Sequence, residues 1–166
     1  MRDWDEEESP VPRGFVHTRS STSAALQVCL QFNVYMSAIF LVLQSLALTE
    51  KLRTFELDVF GKVLAPLTFG VWCASEVFRL WFGFTGNLQE KLPQMSVFLL
   101  LSLFPQLPCL LYLMNLQDLQ FPVERILGGF MFTFTGVELV MGYHAMQALV
   151  KKQTTSYSRL VSEDKY

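Results

Sequence analysis

The sequence predicts an all-α membrane protein, a four-transmembrane-helix bundle with short loops and disordered tails. Its composition points this way, because 51% of the 166 residues are hydrophobic and 17% are charged, whereas soluble domains average about 45–50% and about 25%. The distribution of the apolar residues along the chain is stronger evidence for a membrane protein than the composition. The apolar residues form four runs, each close to or above the ~20 residues that a helix needs to cross a bilayer. The chain has room for four spans and short connections, and for no second globular domain.

Residues 1–23 are polar and acidic and lack apolar periodicity, so we expect a flexible cytoplasmic tail. The acidic block replaces the basic region of a signal peptide, and the apolar run that follows is too long for one. That run, residues 24–48, carries no charge and is the first predicted span. Because lipid cannot form hydrogen bonds with amides, its four amide side chains are expected to face other helices. They are Gln27, Gln31, Asn33 and Gln44.

Residues 49–62 combine charged residues with helix-spaced apolar ones, and part of this loop is expected to lie in the membrane interface. The second predicted span, residues 63–84, is apolar except for Glu76 and Arg79. Small residues let membrane helices approach closely. Such contacts are expected at Gly70 with Ala74 and at Gly129 with Gly136.

The third predicted span, residues 94–114, is uncharged and contains Pro105 and Pro108, which predict a kink. The fourth, residues 126–150, carries Glu138 as its acidic residue and ends at a lysine pair. Residues 151–166 are expected to form a basic and polar cytoplasmic tail.

The orientation follows from the lysines and arginines on each side of the four runs, because cytoplasmic loops carry an excess of them. The side with both termini has eight, namely Arg2, Arg13, Arg19, Lys91, Lys151, Lys152, Arg159 and Lys165. The other side has four, namely Lys51, Arg53, Lys62 and Arg125. This bias predicts that both termini are cytoplasmic.

Three charged residues lie within the predicted spans: Glu76, Arg79 and Glu138. A charge at bilayer depth costs at least ~2.5 kcal/mol, so each is a candidate functional residue. The second and fourth spans run in the same direction, which puts the two carboxylates at similar depth. One hypothesis is a polar clamp in which Arg79 pairs with both. The other is a proton or ion path, which would also need a polar lining across the membrane. One carboxylate exceeds the cations, so one of the two is expected to be protonated.

Several classes of function lack their patterns in this sequence. The net charge of −2 gives no electrostatic case for nucleic acid. His17 and His144 flank no metal-ligand spacing, and no nucleophile with a neighbouring base is visible. We therefore expect no enzyme, no catalytic residue, no metal or cofactor site and no small-molecule substrate. The partners expected are the lipid bilayer and other membrane or peripheral proteins.

One stretch is more specific than these patterns. Residues 76–88 follow the pattern E-x-x-R-L-x-x-G-x-x-G-N-L, formed by Glu76, Arg79, Leu80, Gly83, Gly86, Asn87 and Leu88. It resembles the shared signature of a family of small four-span ciliary proteins, the transmembrane protein 17, 80 and 216 family. The continuation Gln89-Glu90-Lys91-Leu92-Pro93 is most similar to the transmembrane protein 17 branch. The resemblance covers about residues 24–150 and omits both tails.

This resemblance implies a subunit of the tectonic-like complex at the ciliary transition zone. The family is associated with limiting the exchange of membrane proteins between cilium and plasma membrane, and hence with ciliogenesis and Hedgehog signalling. The seven signature residues, with Glu138, are the expected structural or partner-contact residues. The alternative is a small polytopic transporter or proton-handling protein that uses Glu76, Arg79 and Glu138.

Overall fold

A computed structural model describes residues 23–55, 59–117 and 121–163. The acidic tail, residues 1–22, lies outside the described residues, as do residues 56–58 of the first loop. Four helical segments are long and apolar enough to cross a membrane, which confirms the four-span prediction. They are Ala24–Thr54, Val59–Leu88, Leu92–Asn115 and Pro122–Ser158.

We label the helices in chain order: α1 is Ala24–Thr54, α2 is Val59–Leu88, α3 is Leu92–Leu101, α4 is Leu107–Leu111 and α5 is Pro122–Glu163. Wider helical turns, Ser102–Gln106 and Tyr112–Leu116, continue α3 and α4 into one third span. Helix α1 begins at Ala24 because the Ser23 hydroxyl accepts a hydrogen bond from the amide of Leu26 at 3.3 Å, as expected of an N-cap serine.

The third span is kinked, as its prolines predict. The backbone leaves helical geometry at Phe104, with φ −148° and ψ 118°. Pro105 has no amide hydrogen for the preceding turn, and its ring disfavours a helical conformation of the residue before it. The kink therefore lies in the middle of the span and divides it into α3 and α4.

Two segments differ from the prediction. Of the first loop, residues 49–54 extend α1 and residues 59–62 begin α2, so both spans are longer than their apolar runs. Residues 151–163, predicted as a disordered tail, continue α5 to Glu163. They contain neither proline nor glycine, and a helix already nucleated in the membrane extends at little cost.

The spans pack in chain order around the bundle. Helix α1 contacts α2 and α5, and the third span also contacts α2 and α5, so each span lies beside two others. We call the end with Ser23, the turn at 89–91 and residue 151 the terminal end, and the other the opposite end. The terminal apolar layer consists of Leu26, Leu30, Met95, Phe98, Ala145 and Leu149. The opposite apolar layer consists of Phe40, Trp72, Cys109, Leu110, Leu113 and Met131.

The predicted small-residue contacts are mostly wrong. Gly70 and Ala74 are exposed, and a Cβ added at Gly70 or Gly136 would meet no atom within 4 Å. At Gly129 it would meet only the Met114 sulfur, at 3.9 Å. Residue spacing identifies small positions on a helix, but not the face that contacts another helix.

The amides of α1 follow their prediction in three of four cases. Asn33 and Gln44 are buried and Gln27 is half-buried, whereas Gln31 is exposed. Gln31 lies four residues after Gln27, yet Leu26, Leu30 and Asn33 mark the inward face of this turn. The need of the Gln31 amide for hydrogen bonds therefore did not by itself determine which way its side chain points.

Candidate functional site

A polar layer lies between the two apolar layers, and all four spans contribute to it. We call it the central polar layer. Each of its side chains is at most 7% exposed. Its members are Asn33 and Ser37 from α1, Ser75, Glu76 and Arg79 from α2, Gln106 from the third span and Glu138 from α5.

Arg79 is the cation of this layer and binds both carboxylates. Its Nε and Nη2 donate to the two oxygens of Glu76 at 3.0 and 2.8 Å, a forked contact with the residue one turn earlier. Its Nη1 donates to Glu138 Oε2 across the helix interface. The guanidinium also lies 5.8 Å from the centre of the Phe98 ring, within the range of a cation–π contact. This is the arrangement that the clamp hypothesis requires.

The two carboxylates differ in their remaining partners. Glu76 also accepts hydrogen bonds from Gln106 Nε2 at 2.6 Å, Asn33 Nδ2 at 3.3 Å and the Ser37 hydroxyl. Glu138 accepts from Arg79 and from Asn33 Nδ2 at 3.0 Å through one oxygen, Oε2. Its other oxygen, Oε1, has no hydrogen-bond partner among the described residues. Glu76 therefore accepts more hydrogen bonds than Glu138, and its position is fixed by more contacts.

Sequence reasoning missed three members of this layer: Ser37, Ser75 and Gln106. A signal was available for Ser37, which lies one turn after Asn33 and one turn before Phe40 on the inward face of α1. Gln106 was harder to find, because the kink at Phe104 determines where the second half of the span points. Ser75 binds Gln106 Oε1 and thereby supports its orientation toward Glu76.

A second buried ion pair lies at the opposite end, where only a loop was expected. Lys51 Nζ is 2.6 Å from Glu124 Oε2, and the two side chains are 2% and 3% exposed. Lys51 also donates to Gln117 Oε1 at 2.6 Å, and Gln44 donates to Glu124 at 3.1 Å. The Lys51 ammonium is 5.4 Å from the Phe121 ring centre. We call this set the opposite polar layer. Its contacts connect α1 to the end of the third span and to the start of α5.

Five of the seven signature residues share the buried face of α2, namely Glu76, Arg79, Gly83, Gly86 and Asn87. A Cβ at Gly83 would lie 2.9 Å from the Phe98 ring, and one at Gly86 would lie 2.8 Å from the backbone nitrogen of Met95. Asn87 is buried and binds the start of α1. It accepts from the Ser23 amide at 3.0 Å and donates to the Ser23 carbonyl at 3.0 Å and to Gln27 Oε1 at 3.1 Å. These five residues recur along one face of α2. Through them α2 contacts all three other spans.

The two leucines of the signature lie differently. Leu80 is half-buried and packs against the terminal apolar layer, whereas Leu88 is 58% exposed. A tight turn follows Leu88, in which Glu90 adopts a positive φ of 52° and the Lys91 amide donates to the Gly86 carbonyl at 3.1 Å. An ion pair between Glu90 and Lys152 connects this turn to α5.

Gly86→Ala is expected to destabilise the bundle, because the added methyl would meet the backbone of the third span and not a flexible side chain. Overpacking of this kind costs about 1–3 kcal/mol. Gly70→Ala is the matched control, since it places the same methyl on the same helix with no neighbour within 4 Å. Thermal denaturation in detergent micelles should show a lower midpoint for the first variant only. Equal midpoints would contradict the close contact.

The polar layers are separated from each other and from the terminal end by apolar side chains. Trp72, Phe40 and Leu110 lie between the central and opposite polar layers, and each is at most 1% exposed. A groove of about 550 Å³ between the third and fourth spans is lined by Leu99, Leu100, Leu103, Leu139 and other residues outside the central polar layer. Among the described residues, no group of three histidine, cysteine or acidic side chains could hold a metal ion.

Comparison with known proteins gives consistent matches. The family model Transmemb_17, described as "Predicted membrane protein", matches residues 28–135. Transmembrane protein 17A of Xenopus tropicalis is 32% identical over 126 residues, which cover 75% of this chain and 66% of that protein. Transmembrane protein 17 of Bos taurus is 30% identical over 137 residues, which cover 82% and 68%.

A third relative, transmembrane protein 17B of Xenopus tropicalis, is 27% identical over 143 residues, which cover 86% of this chain and 64% of that protein. The chain therefore spans about two thirds of the length of these relatives. No solved structure matches the chain.

Proposed function

The chain belongs to the transmembrane protein 17 family, and from this premise we propose that it is a structural transmembrane subunit of the tectonic-like complex at the ciliary transition zone. In this role it contributes to the membrane diffusion barrier, to ciliogenesis and to Hedgehog signalling. Its location is the cilium membrane, and its partners are other membrane and peripheral proteins of that zone. The signature in residues 76–88 is the sequence feature behind the proposal.

One structural observation favours a scaffolding role over chemistry. The charged residues inside the bundle bind one another: Arg79 binds Glu76 and Glu138, and Lys51 binds Glu124. In each of the two layers the cation binds a carboxylate of another span, so these pairs fix how the helices associate. The buried signature residues thus fix how the four helices pack. The exposed residues on the outside of the bundle are available to contact lipid and partner proteins.

A transporter or proton-handling role is the second candidate, and one observation favours it. Glu138 is buried and its Oε1 accepts no hydrogen bond among the described residues, so this oxygen is the one that could carry an exchangeable proton. The apolar layers on both sides of the central polar layer oppose it, because a path needs polar groups or water at every depth. Reconstitution in lipid vesicles with a pH-sensitive dye inside separates the two candidates. Proton flux that Glu138→Gln abolishes would support transport.

We infer that partner proteins dock at the last residue of α2 and the turn that follows it, residues 88–91, which we call the turn at 88–91. Leu88 is 58% exposed, and Gln89 and Lys91 are also exposed on a turn that hydrogen bonds hold to α2. Asn87 is a poor residue for testing this surface, since it is buried and binds Ser23 and Gln27. A change at Asn87 would alter the packing of the bundle as well as any docking.

Leu88→Ala is therefore the informative variant. It is expected to leave folding and abundance unchanged, because its side chain is exposed, and to release the protein from the ciliary base into the wider membrane. Val77→Ala, an exposed position within the same span, is the control for loss of an exposed apolar group. Fluorescence imaging of tagged variants in ciliated cells measures the fraction at the base. If Leu88→Ala stays at the base with normal partner recovery, the turn is not the docking surface.

The topology of this proposal is also testable. With both termini cytoplasmic, the connection after Gln117 faces the lumen or cell exterior and the turn after Gln89 faces the cytoplasm. A glycosylation acceptor in a flexible insert after Gln117 is expected to be modified, and the same insert after Gln89 is not. Gel mobility before and after deglycosylation reports the result. The reverse pattern would invert the orientation.

A further inference from the structure

Helix α5 continues past the fourth predicted span into a segment of two lysines followed by a hydroxyl-rich stretch. This segment is Lys151-Lys152-Gln-Thr-Thr-Ser-Tyr-Ser, residues 151–158, and it is helical. From Gln153 to Ser158 every side chain is exposed. Thr155 differs from its neighbours because it follows Lys152 by three residues and Lys151 by four, and such residues share a helix face.

The hydroxyl of Thr155 is accessible and weakly held. Its Oγ1 donates to the carbonyl of Lys151 in its own helix at 2.9 Å. Thr154 and Ser158 make similar local bonds, to Val150 at 3.0 Å and to Thr155 at 3.0 Å. Threonine and serine have low helix propensity, and these local bonds do not raise it. The exposed segment therefore opens at low cost, and an enzyme can bind it in an extended form. The helix face that Thr155 shares with the two lysines applies to the helix that re-forms after modification.

We propose that Thr155 is a phosphorylation site for a protein kinase that recognises basic residues before the acceptor. In the reaction, ATP donates its γ-phosphoryl group to Thr155 Oγ, the hydroxyl proton leaves to the kinase base, and ADP is released. Lys151 and Lys152 supply the positive charges that the acidic surface of such a kinase recognises. The site lies on the same side of the membrane as the turn at 88–91.

The phosphate would compete with Glu90 for Lys152. In the unmodified protein Lys152 pairs with Glu90, with 31% and 25% of the two side chains exposed, so solvent reaches this ion pair. A phosphothreonine carries about −1.5 to −2 charges against −1 for a carboxylate. From the position three residues after Lys152 it would draw the ammonium away from Glu90. Modification would then loosen the connection between α5 and the turn.

This regulatory consequence rests on the proposed docking function of the turn, whereas the modification itself does not. Release of Lys152 would move a positive charge away from Glu90 and would free the turn next to Leu88 from this contact with α5. Partner binding at the turn would then respond to kinase activity.

The modification is tested on the full chain in lipid nanodiscs, with a kinase selective for basic residues before the acceptor and with ATP. Site mapping by mass spectrometry is expected to place the phosphate on Thr155. Incorporation should fall at least tenfold in Thr155→Ala, and also in Lys151→Gln with Lys152→Gln. Thr154→Ala is the matched control and should leave incorporation at Thr155 intact. Phosphate on Thr154 alone, or no incorporation, would overturn the proposal.

The competition is tested by the distance between two exposed positions, Gln89 and Gln153. Spin labels are attached there after substitution by cysteine, with Cys29, Cys73 and Cys109 replaced by alanine. Phosphorylation is expected to lengthen or broaden the distance distribution, and unphosphorylated Glu90→Gln should show the same change. An unchanged distribution at full phosphorylation would refute the exchange of partners. Neither measurement uses ciliary location, so a failure here is distinct from a failure of the proposed function.

Discussion

Arg79→Leu is expected to remove most of the folded protein, and Arg79→Lys is expected to retain part of it. The leucine leaves Glu76 and Glu138 in a buried layer without a cation, next to the donors Asn33 and Gln106. Removing one partner of a buried pair costs about 3–5 kcal/mol in soluble proteins. Lysine restores the charge, but a single ammonium cannot reproduce the forked contact of a guanidinium with Glu76.

The measurements are abundance in cells and the folded fraction after heating in detergent, followed by size-exclusion chromatography. Phe78→Leu, an exposed position one residue earlier, is the control and should behave like the parent. Glu138→Gln in the Arg79→Leu background should recover part of the loss, because it removes one of the two unpaired carboxylates. Equal abundance and equal thermal stability of the leucine and lysine variants would refute the clamp.

Lys51→Met is expected to have a comparably large effect at the opposite end of the bundle. The change leaves Glu124 buried without its cation and leaves Gln117 without the ammonium that binds its carbonyl oxygen. The expected cost is again about 3–5 kcal/mol. Arg53→Met, two residues later on the same helix but exposed, should change stability by less than about 1 kcal/mol.

A double variant separates the lost ion pair from lost packing. Lys51→Met with Glu124→Gln removes both charges and keeps an acceptor for the Phe121 amide, which binds Glu124 Oε2 at 2.9 Å. Neutral replacement of both members of a buried pair is often tolerated, so the double variant should be more stable than Lys51→Met alone. The comparison uses thermal midpoints in one detergent. A double variant as unstable as the single one would show that Lys51 acts through packing of its aliphatic chain.

These two ion pairs differ in how far the sequence revealed them. Glu76, Arg79 and Glu138 stand out because each is a charge in a long apolar run, and the span directions put the carboxylates at one depth. Lys51 and Glu124 lie outside the apolar runs, where charged residues are common and usually exposed. Lys51 lies seven residues after Gln44 and three after Leu48, on the inward face of α1, whereas Arg53 is exposed. That spacing identifies Lys51 only once α1 is known to continue past its apolar run.

The sequence by itself determined the number of spans, the kink in the third, the family and the identity of the central ion-pair residues. These follow from local properties: the length of an apolar run, the missing amide of a proline, and the cost of a charge in hydrocarbon. The tertiary structure decided which face of each helix is inside. It showed that Gln31 and Gly70 are exposed, that Gln106 binds Glu76 beyond the kink, and that Lys51 is buried against Glu124. In a bilayer the lipid-facing residues are apolar, and about half of the buried residues of this bundle are apolar too, so hydrophobic periodicity hardly distinguishes the two faces. Only the packing of one span against another assigns each polar side chain its partner.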